Sequence, residues 1–326
     1  MDRSQQMPHC PVRAIRLMVT LSATILAVQA VTAVPALAQS PTGRGIDAHM
    51  HILSPENWMD SPVGAQGLID AAIDVQTIVQ LVDDAEIERA VLISGAYFFQ
   101  DQERARHENE FTSQQVRAYP ERFVGLCSVA PLQPWALDEL EYCITSLELQ
   151  GLKLHLVAEN MNLTNPEHLG VIAGLLAEAA ELKPGLPVLI DFNWTDDAQT
   201  FSLIQLAFTN PSVNIVMAHG LGHHYSELAS IYLYRELLGG FGENLYIDIS
   251  STLFLYPPGS PPFENYIWHL RRFGMDRVLF GSDYPVKSSS EALEALEAMG
   301  FTPEEQNQIL QDNAMKVYGF QPSVRR

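Results

Sequence analysis

The chain has 326 residues, 18% of them charged, and a formal net charge of −20 at pH 7. This length suits one large α/β domain, and three cysteines are too few for a fold that depends on disulfides. A strongly acidic protein repels nucleic-acid phosphates and anionic membrane surfaces. We therefore expect no nucleic-acid partner. The charge says nothing specific about substrate; we expect a small molecule, and a homo-oligomer remains open.

The first 38 residues have the pattern of a secretory signal peptide. Two arginines supply positive charge before the apolar run 17–28, and Ala36-Leu37-Ala38 is a small-residue cleavage site. We expect cleavage before Gln39, which leaves residues 39–326 as a single secreted or periplasmic domain without stable membrane insertion. The alternative is a retained anchor, because the apolar stretch approaches the length that spans a bilayer.

Short apolar runs alternate with helix-length amphipathic segments along the rest of the chain. The predicted strands are 45–53, 90–94, 123–129, 151–156, 187–193, 214–218, 244–249 and 277–281. The predicted helices are 71–84, 102–118, 136–149, 166–182, 196–208, 225–238, 262–273, 290–299 and 303–311, with 313–318 closing the chain. Near-continuous apolar strands that alternate with helices indicate a parallel sheet covered by helices. Eight such units predict a (β/α)₈ TIM-like barrel. The alternative is an open doubly wound sheet, but no Gly-x-Gly-x-x-Gly turn follows a strand.

Two cysteines remain after the predicted cleavage. Cys127 lies in the apolar run 123–130, and Cys143 lies on the helix that follows. A secreted chain can join such a pair in a disulfide, but we favour two buried thiols.

The first predicted strand contains the pair His49 and His51. Side chains alternate between the two faces of a strand, so both imidazoles point the same way, with Cα atoms roughly 6.5–7 Å apart. One divalent metal ion can bridge that gap at metal–nitrogen distances of about 2.0–2.1 Å. The pair alone is weak evidence, because two hydrogen-bonded histidines on one face of a strand are common.

Polar residues also stand where other predicted strands end. They are Lys153 and His155 on the fourth strand, Asp191 and Asn193 on the fifth, His219 after the sixth and Asp283 after the eighth. A barrel brings the carboxyl ends of its strands around one opening, where barrel enzymes have their active sites. Imidazoles and carboxylates bind divalent metals, so we expect a metal site at this opening.

Four motifs resemble those of a known family. They are Asp-x-His-x-His ending at His51, Gly-x-Lys-x-His ending at His155, Ala-His-Gly around His219 and Gly-Ser-Asp ending at Asp283. In this order they resemble the amidohydrolase superfamily, and more narrowly the amidohydrolase-2 group with its aminocarboxymuconate-semialdehyde decarboxylase relatives. The resemblance extends over residues 45–318 and implies a metal-dependent enzyme.

The resemblance also implies roles for these positions. His49, His51 and Asp283, together with the fifth-strand residue Asp191, would hold one divalent ion, with zinc expected and manganese as the alternative. Asp283 would also accept a proton from water on the metal, and His219 would act beside the metal as acid or base, or bind it. These roles match the chemistry, because a metal lowers the pKa of bound water from 15.7 to about 7 and a nearby base and acid move the protons.

Position 191 departs from the family pattern, because the group usually has histidine there and this chain has aspartate. We favour Asp191 as an oxygen ligand of the metal. The alternative is a site that has lost its metal, with Asp191 paired to Lys153 inside the barrel. We expect Lys153 to meet substrate or a carboxylate such as Asp47, although some superfamily members carboxylate this lysine to bridge two metals. His155 is expected to contact substrate or to brace the site.

Three functions are compatible with these residues. The first is a metal-dependent hydrolase in which activated water attacks an ester, lactone or amide-like carbonyl. The second is a metal-dependent non-oxidative decarboxylase of an unsaturated or aromatic acid, and the third is a catalytically weak barrel that binds a ligand. We favour hydrolysis because no arginine stands at a predicted strand end to bind a substrate carboxylate, and because exported enzymes are frequently hydrolases.

Overall fold

The structure is a computed structural model and describes residues 45–321. Eight strands follow one another in sequence order, and consecutive strands pair in parallel. The strands are β1 (Ile46–Ile52), β2 (Arg89–Ser94), β3 (Phe123–Ser128), β4 (Gly151–His155), β5 (Pro187–Asp191), β6 (Asn214–Met217), β7 (Leu245–Asp248) and β8 (Val278–Leu279). The amide of Ala48 donates to the Phe280 carbonyl at 2.9 Å, and the amide of Asp283 donates to the His49 carbonyl at 2.8 Å, which joins β1 to the segment of β8. The predicted (β/α)₈ barrel is confirmed, with all eight strands in the expected places.

Twelve helices connect and cover these strands within residues 45–321. They are α1 (Pro62–Ala65), α2 (Val75–Asp84), α3 (Gln102–Ala118), α4 (Ala136–Thr145), α5 (Pro166–Leu182), α6 (Asp197–Thr209), α7 (Leu228–Leu238), α8 (Thr252–Leu255), α9 (Phe263–Phe273), α10 (Ser289–Ala298), α11 (Pro303–Asn307) and α12 (Asn313–Tyr318). The predicted bounds of α3 and α5 are confirmed at both ends. Both helices begin where expected because Asp101 and Asn165 cap their first turns through side-chain hydrogen bonds. The helix predicted over 225–238 begins later, because Ala218–Glu227 is a kinked 3₁₀ segment.

Both faces of the barrel wall are buried. One set of alternating strand residues, which includes Leu92 and Ile190, packs in the layer under the helices. The other set, which includes Leu189 and Val216, packs inside the barrel together with Tyr318 of α12. This burial on two sides explains why the strands are near-continuous apolar runs in the sequence.

β1 contains an irregularity that positions the two histidines. Its pairing register with β2 shifts between Asp47 and Met50, as at a β-bulge. Ala48, before the end of the shift, packs in the interior cluster, and the next residue, His49, also contacts side chains inside the barrel. Met50 packs under the helices. The bulge therefore lets two consecutive residues, Ala48 and His49, face the interior. The position of His49 and His51 inside the barrel results from it.

Cys127 on β3 and Cys143 on α4 form a disulfide, so the prediction of two buried thiols is wrong. Both residues are fully buried in the layer between strands and helices, with Cα atoms 5.9 Å apart. That separation lies within the range that disulfides require. The contact depends on how α4 packs on β3, which the spacing in sequence does not show.

The predicted signal peptide, residues 1–38, and the alternative of a retained anchor lie outside the described residues. Among residues 45–321, no helix has both the length and the apolar character to cross a bilayer. The assignment of residues 39–326 to one domain stays a prediction.

Candidate active site

Polar side chains from several strand ends meet around His49, which is fully buried. The Nε2 atom of His49 lies 3.3 Å from Asp283 Oδ1 and 3.2 Å from Lys153 Nζ. Its Nδ1 atom lies 3.2 Å from Asp248 Oδ2. Residues from β1, β4 and β7 and from the segment after β8 thus contact one imidazole ring.

His51 lies beside His49, with the two ring centres 5.1 Å apart, which confirms that both histidines face the same side of β1. The Nε2 atom of His51 lies 3.4 Å from the same oxygen of Asp283, and its Nδ1 atom lies 3.1 Å from the Tyr97 hydroxyl. Burial lowers the pKa of His51 to about 3, so the ring is neutral near pH 7. In the neutral tautomer whose Nδ1–H donates to the Tyr97 hydroxyl, the Nε2 lone pair is free to bind a metal.

The donor atoms of this group fit a divalent metal. His49, His51 and Asp283 each offer one ligand atom, and all three atoms lie within 4.8 Å of one another. The two distances to Asp283, 3.3 and 3.4 Å, match the separation of about 3.3–3.4 Å expected between ligands of a tetrahedral ion with bonds of about 2.0–2.1 Å. The carboxylate of Asp248 on the other ring nitrogen of His49 is the kind of support that metal-binding histidines have.

Asp191 lies at the centre of a second group of charged side chains. Its Oδ2 atom is 3.4 Å from His219 Nε2, 3.5 Å from His155 Nε2 and 3.7 Å from Lys153 Nζ. Burial alone would raise the pKa of Asp191, but the positive charges of His155, Lys153 and His219 hold it well below its ordinary value. Burial would likewise lower the pKa of His219, but the carboxylates around it, with Asp191 foremost, raise it to about 9. Asp191 and His219 are therefore an ion pair at neutral pH.

Within residues 45–321, two groups of three residues could hold a metal, namely His49, His51 and Asp283, and His49, His219 and Asp248. Asp191 is in neither group, and its role as a metal ligand stays a prediction. The pairing of Asp191 with Lys153, considered above as the alternative, is present at 3.7 Å. Lys153 Nζ also lies 3.2 Å from Nε2 of His49, so a metal on that nitrogen would leave Asp191 as the partner of the ammonium.

A cavity of about 200 Å³ opens beside these groups. Its polar wall consists of His51, Tyr97, His155, Asp191 and Asp283. His155 therefore lines this cavity, and its contact with substrate stays a prediction. Lys153 is fully buried and does not line the cavity.

Gly281 allows the last strand to pass close to His49. A Cβ atom at position 281 would lie 2.7 Å from the Cβ of His49, so a larger residue would displace the imidazole. Asp283 and His219 both adopt the left-handed backbone region, with φ of 60° and 57°. Only a few per cent of non-glycine residues adopt this conformation, and aspartate and histidine are among those that do so more often. The Gly-Ser-Asp sequence thus places the carboxylate of Asp283 against both imidazoles of β1.

Sequence reasoning missed two members of the cluster. Asp248 ends the apolar strand Leu245–Asp248, and the same signal that selected Asp191 at the end of β5 could have found it. Tyr97 lies in the short 3₁₀ segment Gly95–Phe98 after β2, where nothing in the local sequence distinguishes it from a packing aromatic. Its contact with His51 depends on how the segment after β2 approaches the end of β1.

Residues 46–320 match the family model described as amidohydrolase. The chain belongs to the amidohydrolase family. A comparison of this amidohydrolase with curated proteins gives no match.

Solved structures similar to this amidohydrolase have the same fold. A 2,6-dihydroxybenzoate decarboxylase from Rhizobium is 18% identical, with 84% of this chain and 98% of that chain covered and a TM-score of 0.62. A dihydroxybenzoic acid decarboxylase from Polaromonas sp. JS666, solved with bound manganese, is 18% identical over 86% of this chain and 98% of that chain, with a TM-score of 0.60. A probable 2-pyrone-4,6-dicarboxylic acid hydrolase from Acinetobacter baumannii is 18% identical over 85% of this chain and 99% of that chain, with a TM-score of 0.58.

Proposed function

We propose that this protein is a metal-dependent hydrolase that cleaves an ester, lactone or amide-like carbonyl compound with water. The main support is the position of Asp283, whose Oδ1 atom lies 3.3 and 3.4 Å from the Nε2 atoms of His49 and His51 at the wall of a cavity. A carboxylate placed there can bind a divalent ion and also accept a proton from an attacking water. A bound metal would lower the pKa of water to about 7 and polarise the substrate carbonyl.

The neighbouring side chains provide the proton transfers. Burial alone would raise the pKa of Asp283, but the positive charges of His49 and His219 and a hydrogen bond with His51 keep it well below its ordinary value, so the carboxylate is ionised and can act as a base. His219 holds a proton at neutral pH because Asp191 raises its pKa, and it is the candidate acid for the leaving group. His155 lies at the cavity wall, where it can orient the substrate.

We infer zinc as the bound ion, with manganese as the alternative. Two imidazole nitrogens and one carboxylate oxygen form a donor set that zinc accepts in catalytic sites, with further positions left for water and substrate. The manganese bound to the Polaromonas decarboxylase supports the alternative.

A metal-dependent decarboxylase is the second candidate. The similar proteins from Rhizobium and Polaromonas are decarboxylases and favour it, whereas the probable hydrolase from Acinetobacter favours hydrolysis. An acid substrate brings a carboxylate that arginine or lysine commonly binds. Within residues 45–321, no arginine or lysine lines the cavity, which is why we place hydrolysis first.

The experiment that tests the proposal measures metal content and reaction on the same purified protein. We expect about one divalent ion per chain, hydrolysis of esters or lactones, loss of activity on exhaustive chelation and recovery with zinc or manganese. Release of CO₂ from aromatic acids, without hydrolysis of any ester or lactone, would replace the hydrolase by the decarboxylase. Full activity after chelation would overturn the metal mechanism, and a folded protein with neither metal nor turnover would be a binding barrel.

We also propose that the protein acts outside the cytoplasm, in the periplasm or as a secreted enzyme. The signal-like pattern of residues 1–38 supports this location. The disulfide between Cys127 and Cys143 adds support, because disulfides persist in oxidising compartments. Cell fractionation of the full chain tests the proposal, and a product that stays in the cytoplasm at its full length of 326 residues would contradict it.

A further inference from the structure

We propose that the cavity selects neutral substrates that bear one apolar substituent of about the size of a benzene ring. The inference rests on the proposed function and names the substrate class for the same site. Besides the groups of its polar wall, the cavity is lined by the apolar side chains of Leu53, Val63, Ile73, Phe98 and Val286, which form its apolar wall. A carbonyl group at the polar wall therefore places its substituent against hydrocarbon.

The volume of the cavity limits the size of this substituent. The cavity measures about 200 Å³, and an apolar protein cavity of about 150 Å³ is known to bind benzene. A phenyl ring or a short branched alkyl chain thus fits together with the reacting carbonyl group.

The apolar wall is preformed at Leu53 and Ile73. These two residues exchange backbone hydrogen bonds in both directions, each 3.0 Å long, and both side chains are buried. Gly95, which also lines the cavity, approaches Leu53 closely, because a Cβ at position 95 would lie 2.6 Å from its Cδ1 atom. A wall held in this way keeps its shape before the substrate arrives, which favours binding.

The loop that bears Val63 is also held in place. The buried carboxylate of Glu108 accepts a hydrogen bond from the amide of Ser54 at 3.0 Å and another from the side chain of Asn57 at 2.8 Å. Both donors precede Val63 in the loop after β1, so α3 fixes that loop over the cavity. The buried glutamate has a structural role here.

The charges at the cavity oppose an anionic substituent. Asp191 and Asp283 line the wall, and within the described part of the chain no arginine or lysine does. Lys287 follows Val286 in sequence, but its ammonium is paired with Glu291 at 2.9 Å. A carboxylate on the substrate's substituent would lose its hydration without gaining a positive partner from the protein.

The first test compares two lactones that differ in one group, γ-phenyl-γ-butyrolactone and its 4-carboxyphenyl counterpart. We expect the metal-loaded, full-length protein to hydrolyse the neutral lactone with a kcat/KM at least about tenfold higher. Equal or better hydrolysis of the carboxylated lactone would overturn the inference and leave the hydrolase in place.

A charge variant tests the wall directly. Val286→Arg adds a cation at the cavity rim, where Val286 is 64% exposed, and we expect about a tenfold rise in kcat/KM for the carboxylated lactone. The matched control is Val157→Arg, which adds the same charge at a residue that is 47% exposed and does not line the cavity. The ratio of the two lactones should stay at the wild-type value in the control. Equal gains in both variants would indicate attraction at long range and contradict the inference.

A binding measurement separates the inference from the proposed function. Calorimetry on the metal-loaded protein compares benzyl alcohol with 4-(hydroxymethyl)benzoate, and we expect benzyl alcohol to bind at least about tenfold more tightly. Binding of benzyl alcohol without hydrolysis of any lactone would overturn the hydrolase and leave the selection in place. Tighter binding of the benzoate would overturn the selection, whatever reaction the enzyme performs.

Discussion

The barrel interior has two halves, which are lined by different residues of the same strands. The lower half is the apolar interior cluster, and the upper half is the polar cluster at the carboxyl ends of the strands. On β5, Leu189 packs in the apolar interior cluster, and Asp191, two residues later on the same side, pairs with charged groups. On β7, Tyr246 belongs to the apolar cluster, and Asp248 two residues later supports His49. A distance of two residues along a strand thus separates positions that stabilise the fold from positions in the active site.

The upper half keeps its charges inside the protein by pairing them. Lys153 is fully buried and approaches both Asp191 and His49, while Asp191 also contacts His219. Buried charges are costly unless they are paired and hydrogen-bonded. Substitutions in the upper half should therefore lower the catalytic activity, and substitutions in the lower half should lower the free energy of unfolding.

The largest effect is expected in the upper half from His49→Ala. The variant removes the ring that contacts Asp283 and Asp248, so we expect loss of bound metal. The fall in kcat/KM should exceed the loss of about 10–100-fold that is typical when a residue supporting a metal ligand is replaced. Cooperative unfolding should remain. The control is His107→Ala on α3, where the side chain is 44% exposed, and it should keep both metal and activity. Elemental analysis with steady-state kinetics decides, and retained metal in His49→Ala would break the assignment.

In the lower half, Leu189→Ala should lose stability instead. Removing a fully buried side chain from the interior cluster leaves a cavity, and we expect the free energy of unfolding to fall by about 2–5 kcal/mol. The kcat of the folded variant should stay near the wild-type value. Denaturant unfolding combined with kinetics measures both quantities. A large loss of kcat with unchanged stability would contradict the division between the two halves.

Asp248→Asn should produce a smaller effect in the upper half. Asparagine retains the shape but removes the charge that His49 Nδ1 contacts at 3.2 Å, so we expect metal affinity or kcat/KM to fall about 10–100-fold. Competition with a chelating indicator measures the affinity. The control is Asp276→Asn, where the carboxylate is 56% exposed and outside the site. Unchanged affinity and activity in Asp248→Asn would show that the contact is structural only.

The smallest effect is expected from Asp191→Asn, and it should depend on pH. The pKa of His219 is raised to about 9, mainly by Asp191 against the opposing effect of burial, so the contribution of the pair to stability is fully present below the ordinary histidine value of 6.5 and disappears as pH rises through about 9. The difference in unfolding free energy between the wild type and the variant, both treated with chelator, should therefore shrink from pH 6 to pH 10. A difference that does not change with pH would contradict the ion pair.

The sequence was sufficient for the fold because both faces of each strand are buried. Segments such as Pro187–Asp191 therefore stand out as apolar runs, and their terminal carboxylate stands out as well. The sequence predicts the site residues from this contrast between an apolar run and the polar residue at its end. These residues are His49, His51, Asp191, His219 and Asp283. The partners of these residues were harder to predict. Asp248 lies 199 positions from His49, and the Tyr97 contact and the Cys127–Cys143 bridge arise from packing between separate elements.

The register shift in β1 implies that a difference of one residue in strand pairing decides which side of the barrel wall His49 and His51 face. If β1 continued from Asp47 in an uninterrupted ladder with β2, His49 would lie opposite Leu92, which packs under the helices, and every side chain from His49 onward would exchange faces. Both imidazoles would then be buried in hydrocarbon beneath the helices, while methionine and isoleucine would enter the site. The same composition would then leave the carboxylate of Asp283 without the two imidazoles that it contacts.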